Sequence, residues 1–296
     1  MSIKITRCNC FIFICLMALQ LFLPSQTPAG ANKKADYFNA LQKRLIEDGF
    51  NKNKINALYA RHGVYFDTKG VSLFFSHSEG ELNYDQFLSK GSIKNAKQYL
   101  KKHMAAFDGA GKTYSVDKEI ITAIILVETR LGTCLGGRSI LNTLSTMASL
   151  KDPHVKNMLW SKISDSSSFI SFTRDEFDKK AEKKSTWAYS ELKDFLKYSS
   201  REKIDPLSVS GSYAGAIGIS QFMPSNILAH AKDGNRDGCV DLFNHTDAIV
   251  SIASYLQHYG WRAGIDDEKA YKILLSYNYS KYYANIILKI AKLLKG

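Results

Sequence analysis

The fold is indicated most clearly by one stretch, Ser115-Val-Asp-Lys-Glu-Ile-Ile-Thr-Ala-Ile-Ile-Leu-Val-Glu-Thr-Arg-Leu131. Its middle part, residues 120–127, is apolar on nearly every side, which is typical of a helix buried at the centre of a domain. Ser115 and Asp117 are suitable N-cap residues, and Glu119 suits the positive end of the helix dipole. The stretch therefore predicts a central, buried helix from Ser115 to Leu131.

The segments on either side of this helix predict a mainly α protein. Apolar residues recur at helical spacing in several of them, and alternation typical of strands is rare. Asp108-Gly-Ala-Gly-Lys-Thr113 predicts a loop, and the segment 61–90 is looser, with scattered glycines and aromatic residues. Helices are predicted in the segments 36–59, 93–107, 187–196, 247–259 and 268–294.

The overall composition is that of an ordinary globular protein. The chain has 296 residues, of which 45% are hydrophobic and 23% charged, so a disordered or fibrous protein is excluded. Lys and Arg number 40 against 28 Asp and Glu, a formal net charge of +12. This charge favours anionic partners: nucleic acid, anionic lipid or an anionic wall polymer.

Residues 1–31 predict a secretory signal peptide rather than part of the fold. Lys4 and Arg7 precede an apolar run from Cys10 to Leu23, and small residues up to Ala31 offer a cleavage site. The run is shorter than the roughly 20 residues of a spanning helix, so the alternative of an uncleaved anchor is disfavoured. We expect an exported protein, in the periplasm or cell envelope, with no nucleic-acid partner and no stable membrane span after cleavage.

The cysteines exclude two classes of site. Three of the five lie within the first fifteen residues, leaving Cys134 and Cys239. A disulfide scaffold and a cysteine-based zinc site are therefore excluded. Whether these two cysteines pair in an oxidising compartment stays open.

Glu128 is the first candidate catalytic residue, because it ends the buried apolar helix. Loss of solvation favours the neutral form of a carboxyl group, so we expect its pKa to be raised. A neutral carboxylic acid can protonate the leaving oxygen of a glycosidic bond. The structural alternative is an ion pair of Glu128 with Arg130 or another base.

A second candidate site is the glycine-rich segment Gly211-Ser-Tyr-Ala-Gly-Ala-Ile-Gly-Ile-Ser-Gln-Phe-Met-Pro-Ser225. Small residues allow a ligand or a neighbouring helix to approach the backbone closely. Ser212, Tyr213 and Gln221 have side chains that could bind sugar hydroxyls. The alternative is a tight turn that leads into a helix, and the two interpretations are compatible.

A third candidate site, Asp233-Gly-Asn-Arg-Asp-Gly-Cys239, has the oxygen spacing of a calcium loop. Asp233, Asn235 and Asp237 occupy positions one, three and five, Gly238 follows at six, and Cys239 offers a carbonyl at seven. Position twelve lacks the usual Glu, so Asp247 is expected to close the site and the affinity to be modest. The alternative is a turn without metal.

A fourth candidate site is Tyr277-Asn-Tyr-Ser-Lys-Tyr-Tyr-Ala284. Aromatic rings such as Tyr277 and Tyr283 stack on sugar faces, and amides such as Asn278 bind sugar hydroxyls. The alternative is an ordinary helix end with exposed tyrosines.

These blocks, in this order and with Trp261 between the last two, resemble the lytic murein transglycosylase B family over residues 36–294. The resemblance implies a lysozyme-like, mainly α fold with an EF-hand-like calcium loop. It divides the mature chain, 32–296, into a helical N-terminal part (32–110), a core (112–150 and 205–296) and a variable insert (151–204). Leu131 stands where an aromatic residue is usual, Ile219-Ser220 departs from the usual pair before the Gln, and residues 151–186 match poorly.

The resemblance also implies an activity. It is cleavage of the β-1,4 bond between N-acetylmuramic acid and N-acetylglucosamine of bacterial peptidoglycan, which leaves 1,6-anhydromuramoyl ends. No organic cofactor is implied, and the calcium is structural. Glu128 matches the single acid/base. The residues that match the glycan cleft are Ser212, Gln221, Tyr277, Asn278 and Tyr283, and those that match the calcium ligands are Asp233, Asn235, Asp237, Cys239 and Asp247.

Two rival functions remain open at this stage. A muramidase that uses two carboxyl groups would need a partner for Glu128 roughly 5–9.5 Å away, and Asp205 and Asp241 are the candidates. A non-catalytic, calcium-stabilised wall-binding protein is the rival of another class. The oligomeric state is not indicated by the sequence.

Overall fold

The computed structural model describes residues 37–76, 83–164 and 173–296, which form a mainly helical protein around one continuous hydrophobic core. The signal peptide expected at 1–31 lies outside the described residues. The helices are α1 Asn39–Glu47, α2 Lys52–Ala60, α3 Thr68–Ser76, a 3-10 helix Tyr84–Leu88, α4 Lys90–Lys102, α5 Met104–Tyr114, α6 Lys118–Thr129, α7 Ile140–Ser149, α8 Pro153–Ser164, α9 Arg174–Arg201, α10 Pro224–His230, α11 His245–His258, α12 Asp267–Tyr277 and α13 Lys281–Lys295.

Helix α6 lies at the centre of the molecule, as its sequence predicts. Every residue from Ile120 to Thr129 is buried, and α4, α5, α11 and α13 pack around it. Asp117 precedes the helix, but its side chain does not cap it: the carboxylate accepts a hydrogen bond from the indole nitrogen of Trp261 (3.1 Å) and pairs with Lys295 (3.0 Å). The start of α6 is thereby joined to two distant parts of the chain.

The loop predicted at Asp108–Thr113 is wrong, because α5 continues through it to Tyr114. Its two glycines each cost about 1 kcal/mol relative to alanine in a helix. Phe107 and Ala110 are buried on the inner face of α5, which packs against α6 and α11, and this burial outweighs the cost. The break occurs instead at His103, between α4 and α5.

The N-terminal helices pack directly on the core rather than forming a separate unit. Arg138 donates two hydrogen bonds of 3.1 Å to the buried carboxylate of Asp67. The hydroxyl groups of Tyr59 and Ser145 are 2.7 Å apart, which joins α2 to α7. These buried polar contacts fix α2 and α3 against the centre of the protein.

The described part of the insert, 151–164 and 173–204, is helical. Thr173 and Glu176 form a capping box at the start of α9, in which the Thr173 hydroxyl accepts from the Glu176 backbone N–H. Helix α9 then runs for 28 residues and packs against α7 and α10. Although the sequence of α9 is mostly polar, its apolar residues lie on one face of the helix, and this face is buried against α7 and α10.

A two-stranded antiparallel sheet connects the segment after α6 to the glycine-rich segment. Strand β1 (Arg138–Ser139) pairs with β2 (Ser210–Gly211), with Arg138 opposite Gly211 and Ser139 opposite Ser210. A Cβ at Gly211 would lie 2.1 Å from the carbonyl oxygen of Ala216, so the close approach of these two backbone segments requires glycine at this position. Within the three described ranges, no helix has the length and apolar character needed to cross a membrane.

Candidate active site

Glu128 lies on the last turn of α6 with only 5% of its surface exposed, so its predicted burial is confirmed. Tyr277 and Tyr283 approach it from α12 and α13, and their rings are stacked with centroids 6.3 Å apart. Burial, and next the negative charge of Glu128, raise the pKa of both tyrosine hydroxyls well above the ordinary value. Both phenols therefore remain protonated beside the carboxyl group.

The chain reverses sharply after Glu128. Arg130, Leu131 and Gly132 all have positive φ angles of 48°, 64° and 83°. The Arg130 guanidinium lies away from the α6 face: it donates to the side-chain oxygen of Gln86 and lies 5.7 Å from the centre of the Phe87 ring. The helix thus ends at Thr129, two residues before the predicted end at Leu131.

The glycine-rich segment lies directly beside the end of α6. The Thr129 hydroxyl donates to the Ile219 carbonyl (3.1 Å), and the Tyr277 hydroxyl donates to the Ser220 carbonyl (2.6 Å). These two bonds hold the backbone before Gln221 between α6 and α12. The structure therefore brings the first, second and fourth sequence motifs together.

Gln221 is a substrate-binding candidate whose side-chain oxygen is unpaired within the part of the chain that the structure describes. Its backbone has φ +50°, and its amide nitrogen donates to the carbonyl of Gly218 (2.8 Å). Its side-chain oxygen is buried and accepts no hydrogen bond from the described residues. An amide oxygen in this state needs a donor, and a hydroxyl group is a suitable one.

Ser212 and Tyr213 are both buried, and Ser212 has a clear structural role. Its hydroxyl oxygen accepts from the backbone N–H groups of Ala214 (3.3 Å) and Ala216 (3.0 Å), so it stabilises the tight turn. The hydroxyl proton remains available for one further bond.

Asn278 lies at the C-terminal end of α12, in the connection to α13. Its carbonyl accepts from the N–H of Ser280 (2.7 Å), and the Ser280 hydroxyl caps α13 by accepting from Tyr283. The short connection sets the angle at which Tyr277 and Tyr283 meet Glu128. Tyr279, between them, is 91% exposed.

Two neighbours of the site, Thr129 and Gln86, were not identified from the sequence. Thr129 follows Glu128 in the first motif, and its hydroxyl on the last helical turn is a signal that points to a capping or bridging role. Gln86 lies in the loose segment 61–90 and carries no recognisable pattern. It matters because it fixes Arg130.

The predicted calcium loop forms a compact turn. The Asp233 carboxylate accepts from the N–H groups of Asp237 (3.1 Å) and Gly238 (2.8 Å), and the Asn235 amide donates to Asp237 (2.8 Å). Among the described residues, no group of three or more His, Cys, Asp or Glu side chains is arranged to hold a metal. An oxygen set from this loop would also have to include the Asn235 side chain and the Cys239 carbonyl.

Asp247 is fully buried behind this loop. Its carboxylate accepts from the N–H groups of Gly234 (2.9 Å), Asn235 (3.2 Å) and Asp241 (2.8 Å), and burial raises its pKa above the ordinary value. Cys239 is an exposed free thiol, so it is not paired with Cys134.

A histidine pair lies behind the turn that follows Glu128. The rings of His103 and His245 have centroids 4.5 Å apart, and the Tyr99 hydroxyl lies 2.8 Å from Nδ1 of His245. A Cβ at Gly132 would lie 2.8 Å from the His245 ring, so this pair supports the turn. Burial, and next the charges of His245 and Lys102, lower the pKa of His103 to about 4.

This lowered pKa predicts a loss of stability in mild acid. An unfolded histidine binds its proton near pH 6.5, whereas folded His103 resists protonation until about pH 4. Between these values the unfolded state binds more protons, so the free energy of unfolding should fall as pH falls. Urea unfolding at pH 7 and pH 5 should show a smaller pH effect in His103→Phe than in the wild type, and an undiminished effect would contradict the assignment. The exposed His62, changed to Phe, is the control.

Comparison with known proteins identifies relatives of this architecture. The family model described as the transglycosylase SLT domain matches residues 33–268. Membrane-bound lytic murein transglycosylase B of Escherichia coli (strain K12) is 33% identical over 179 residues, a match that covers 60% of this chain and 41% of that protein. The match thus spans less than half the length of that relative.

Solved structures show the same fold. Soluble lytic transglycosylase SltB1 from Pseudomonas aeruginosa aligns with TM-score 0.69 at 22% identity, covering 87% of this chain and 97% of that one. The Escherichia coli lytic transglycosylase Slt35 in complex with calcium aligns with TM-score 0.68 at 20% identity, covering 88% and 93%. The expected mainly α, lysozyme-like fold is confirmed. Since the family model covers most of the residues, the chain belongs to the transglycosylase SLT domain family.

Proposed function

We propose that this protein is a peptidoglycan lytic transglycosylase that uses Glu128 as its only acid and base. The observation that carries the proposal is the buried Glu128 carboxyl beside the protonated hydroxyls of Tyr277 and Tyr283. A carboxyl group shielded from water can hold a proton and then deliver it to a glycosidic oxygen. The segment that ends in Gln221 lies beside it and offers a free acceptor for a sugar hydroxyl.

The proposed reaction has two steps. Glu128 first protonates the leaving oxygen of the β-1,4 bond between N-acetylmuramic acid and N-acetylglucosamine, and the substrate's own N-acetyl group stabilises the cationic centre. The Glu128 carboxylate then takes the proton from the muramoyl 6-hydroxyl. The oxygen of that hydroxyl attacks the cationic carbon of the muramoyl residue and closes a 1,6-anhydro ring. No water is consumed.

The two tyrosines have different parts in this proposal. The Tyr283 hydroxyl faces Glu128 and can donate to its carboxylate, which stabilises the charged form between the two steps. The Tyr277 hydroxyl already donates to the Ser220 carbonyl, so it acts by holding the glycine-rich segment in place. Tyr283 is fully buried and acts on Glu128, whereas the half-buried Tyr277 can also contact the glycan, as the sequence predicts.

A muramidase is the second candidate, and product analysis separates the two. It would need a second carboxyl group, but both Asp205 oxygens bind Arg61 (2.5 and 2.8 Å), and Asp241 accepts from the backbone of Phe243. These contacts favour the one-carboxyl mechanism. Mass spectrometry of products from purified peptidoglycan should find anhydromuramoyl ends, and products heavier by one water would overturn the proposal. No turnover at all would favour a wall-binding protein.

We further propose a structural calcium ion held by Asp233, Asn235, Asp237, the Cys239 carbonyl and Asp247. The donor set fits calcium because all five groups supply oxygen. Asp247 is a buried carboxylate whose bonds come only from backbone N–H groups among the described residues, and a nearby cation would favour its charged form. The ion would brace the loop that carries Leu242 and would take no part in the reaction.

Calcium should therefore raise the thermal midpoint, and Asp237→Ala should remove this response. An ion that binds only the folded state stabilises it by about 2.7 kcal/mol at a hundred times its Kd. For a domain of this size that is a rise of several degrees. Asp241→Ala, in the same loop but outside the proposed oxygen set, should keep the response. Melting curves unchanged by millimolar calcium would contradict the loop assignment.

From the proposed substrate and the predicted signal peptide we infer that the protein acts in the cell envelope of a bacterium, with peptidoglycan strands as its partner.

A further inference from the structure

One face of α4 carries a row of four lysines, Lys90, Lys94, Lys97 and Lys101, called here the lysine row. Spacings of four, three and four residues place them within one narrow stripe of the helix. All four are exposed. The eleven helical steps from Lys90 to Lys101 extend the row about 16 Å along the helix axis.

The lysine row has no anionic partner among the described residues. No carboxylate there lies within ion-pair distance of any of the four ammonium groups, although many other lysines of the protein are paired. Like charges three or four residues apart destabilise a helix. The row is therefore a local cost to α4, and a polyanionic ligand would relieve it.

The lysine row lines a groove with an apolar floor. The groove has a volume of about 570 Å³, and its floor is made by Leu88, Ile93 and Leu293. Leu293, on the last turns of α13, is 46% exposed. The groove therefore offers apolar contacts with cations above them, which suits a ligand that carries both carboxylates and short apolar side chains.

The groove connects to the candidate active site through two elements. Leu293 is ten residues along α13 from Tyr283, a distance of about 15 Å in a helix. Leu88 ends the 3-10 helix whose Gln86 binds Arg130, two residues after Glu128. A ligand in the groove is thus outside the site but within reach of a polymer that occupies it.

We propose that the lysine row is a second binding site for polymeric peptidoglycan, which it recognises through the carboxylates of the stem peptides. The proposal rests on the function proposed above. A strand that carries peptides at intervals presents anionic groups along its length, and a straight row of cations matches such a ligand better than a single small anion. Binding at two places raises the affinity for the polymer without changing the chemistry at Glu128.

The test is the double variant Lys94→Glu/Lys97→Glu, with Lys179→Glu/Lys183→Glu as its matched control. The control pair lies on α9 beside a groove that is also lined by two carboxylates, Asp178 and Glu182. Binding to insoluble sacculi is measured in a Glu128→Gln background, so that the wall is not consumed. Turnover of short soluble glycan without peptides is measured with Glu128 intact.

The lysine-row variant should bind sacculi about tenfold more weakly than the control at low salt, and the difference should shrink at high salt as charges are screened. It should turn over short peptide-free glycan normally. Sacculi whose carboxylates have been amidated should bind both variants alike.

Equal binding of both variants to native sacculi would overturn the inference, even with turnover intact. A difference that persists on amidated sacculi would overturn recognition of carboxylates. Unchanged wall binding with lost binding to phosphatidylglycerol vesicles would overturn it in favour of a membrane surface. If the wild-type protein did not cleave short glycan, the proposed function itself would be contradicted.

Discussion

Glu128→Gln should lower the turnover of purified peptidoglycan by about 10²–10⁴-fold, the usual contribution of a general acid or base. The amide has nearly the same shape as the carboxyl group, so the packing beside Tyr277 and Tyr283 should persist. It can neither give up a proton to the glycosidic oxygen nor recover one from the 6-hydroxyl. Release of anhydromuramoyl products, followed by mass spectrometry, is the measurement.

Glu191 provides the matched control for this substitution. It is also a buried glutamate on a helix, and burial raises its pKa, but its carboxylate binds the N–H and hydroxyl of Ser225 at the start of α10. Glu191→Gln should therefore reduce stability and leave turnover within a few-fold of wild type. Near-normal turnover by Glu128→Gln would remove Glu128 from the mechanism, and equal losses in both variants would indicate a general effect of altering buried carboxyl groups.

The centre of the fold was predictable because a single helix carries an unusually continuous apolar run. Residues 120–127 need burial on all sides, and only a position surrounded by other helices supplies it. Glu128 inherits its burial from that helix, so its environment could be inferred together with the helix. The proximity of Tyr277 and Tyr283 to Glu128 followed only from the family resemblance.

Other features depend on contacts between distant segments, so the local sequence did not predict them. Gly109 and Gly111 predicted a loop, yet the burial of Phe107 and Ala110 keeps α5 helical. Arg130 leaves the helix because the chain turns with positive φ and Gln86 accepts its guanidinium. The helix α11 that buries the inner face of α5 and the Gln86 that binds Arg130 are both far away in sequence. The local sequence pattern therefore does not predict either contact.

The glycine-rich segment shows a different limit. Its small residues predicted that another group packs closely against its backbone, but they did not identify that group. In the structure that group is the backbone of Leu242, which lies against Gly218, a residue with φ +70°. A Cβ there would lie 2.5 Å from the Leu242 carbonyl oxygen, which already accepts from the N–H of Ile219 (2.8 Å).

Gly218→Ala should therefore lower the free energy of unfolding by about 2–5 kcal/mol. About 1–2 kcal/mol comes from a side chain at positive φ, and overpacking adds about 1–3 kcal/mol. Turnover should fall as well, because the Gly218 carbonyl accepts from the Gln221 amide and the same backbone continues to Ser220, which Tyr277 holds. Urea unfolding and product release measure the two effects.

Gly49→Ala separates the two causes. Gly49 also has positive φ (+94°), but a Cβ there meets no atom within 4 Å, so it carries only the backbone penalty. It follows α1, far along the chain from the site, and its substitution should leave turnover unchanged. The difference in the free energy of unfolding between the two variants is then the cost of packing a Cβ at position 218 against Leu242. If Gly218→Ala were no more destabilising than Gly49→Ala, the close packing of the glycine-rich segment on the proposed calcium loop would not constrain the site. A larger loss of both stability and turnover in Gly218→Ala would show that the loop containing Leu242 positions Gln221 through a backbone contact that only glycine permits.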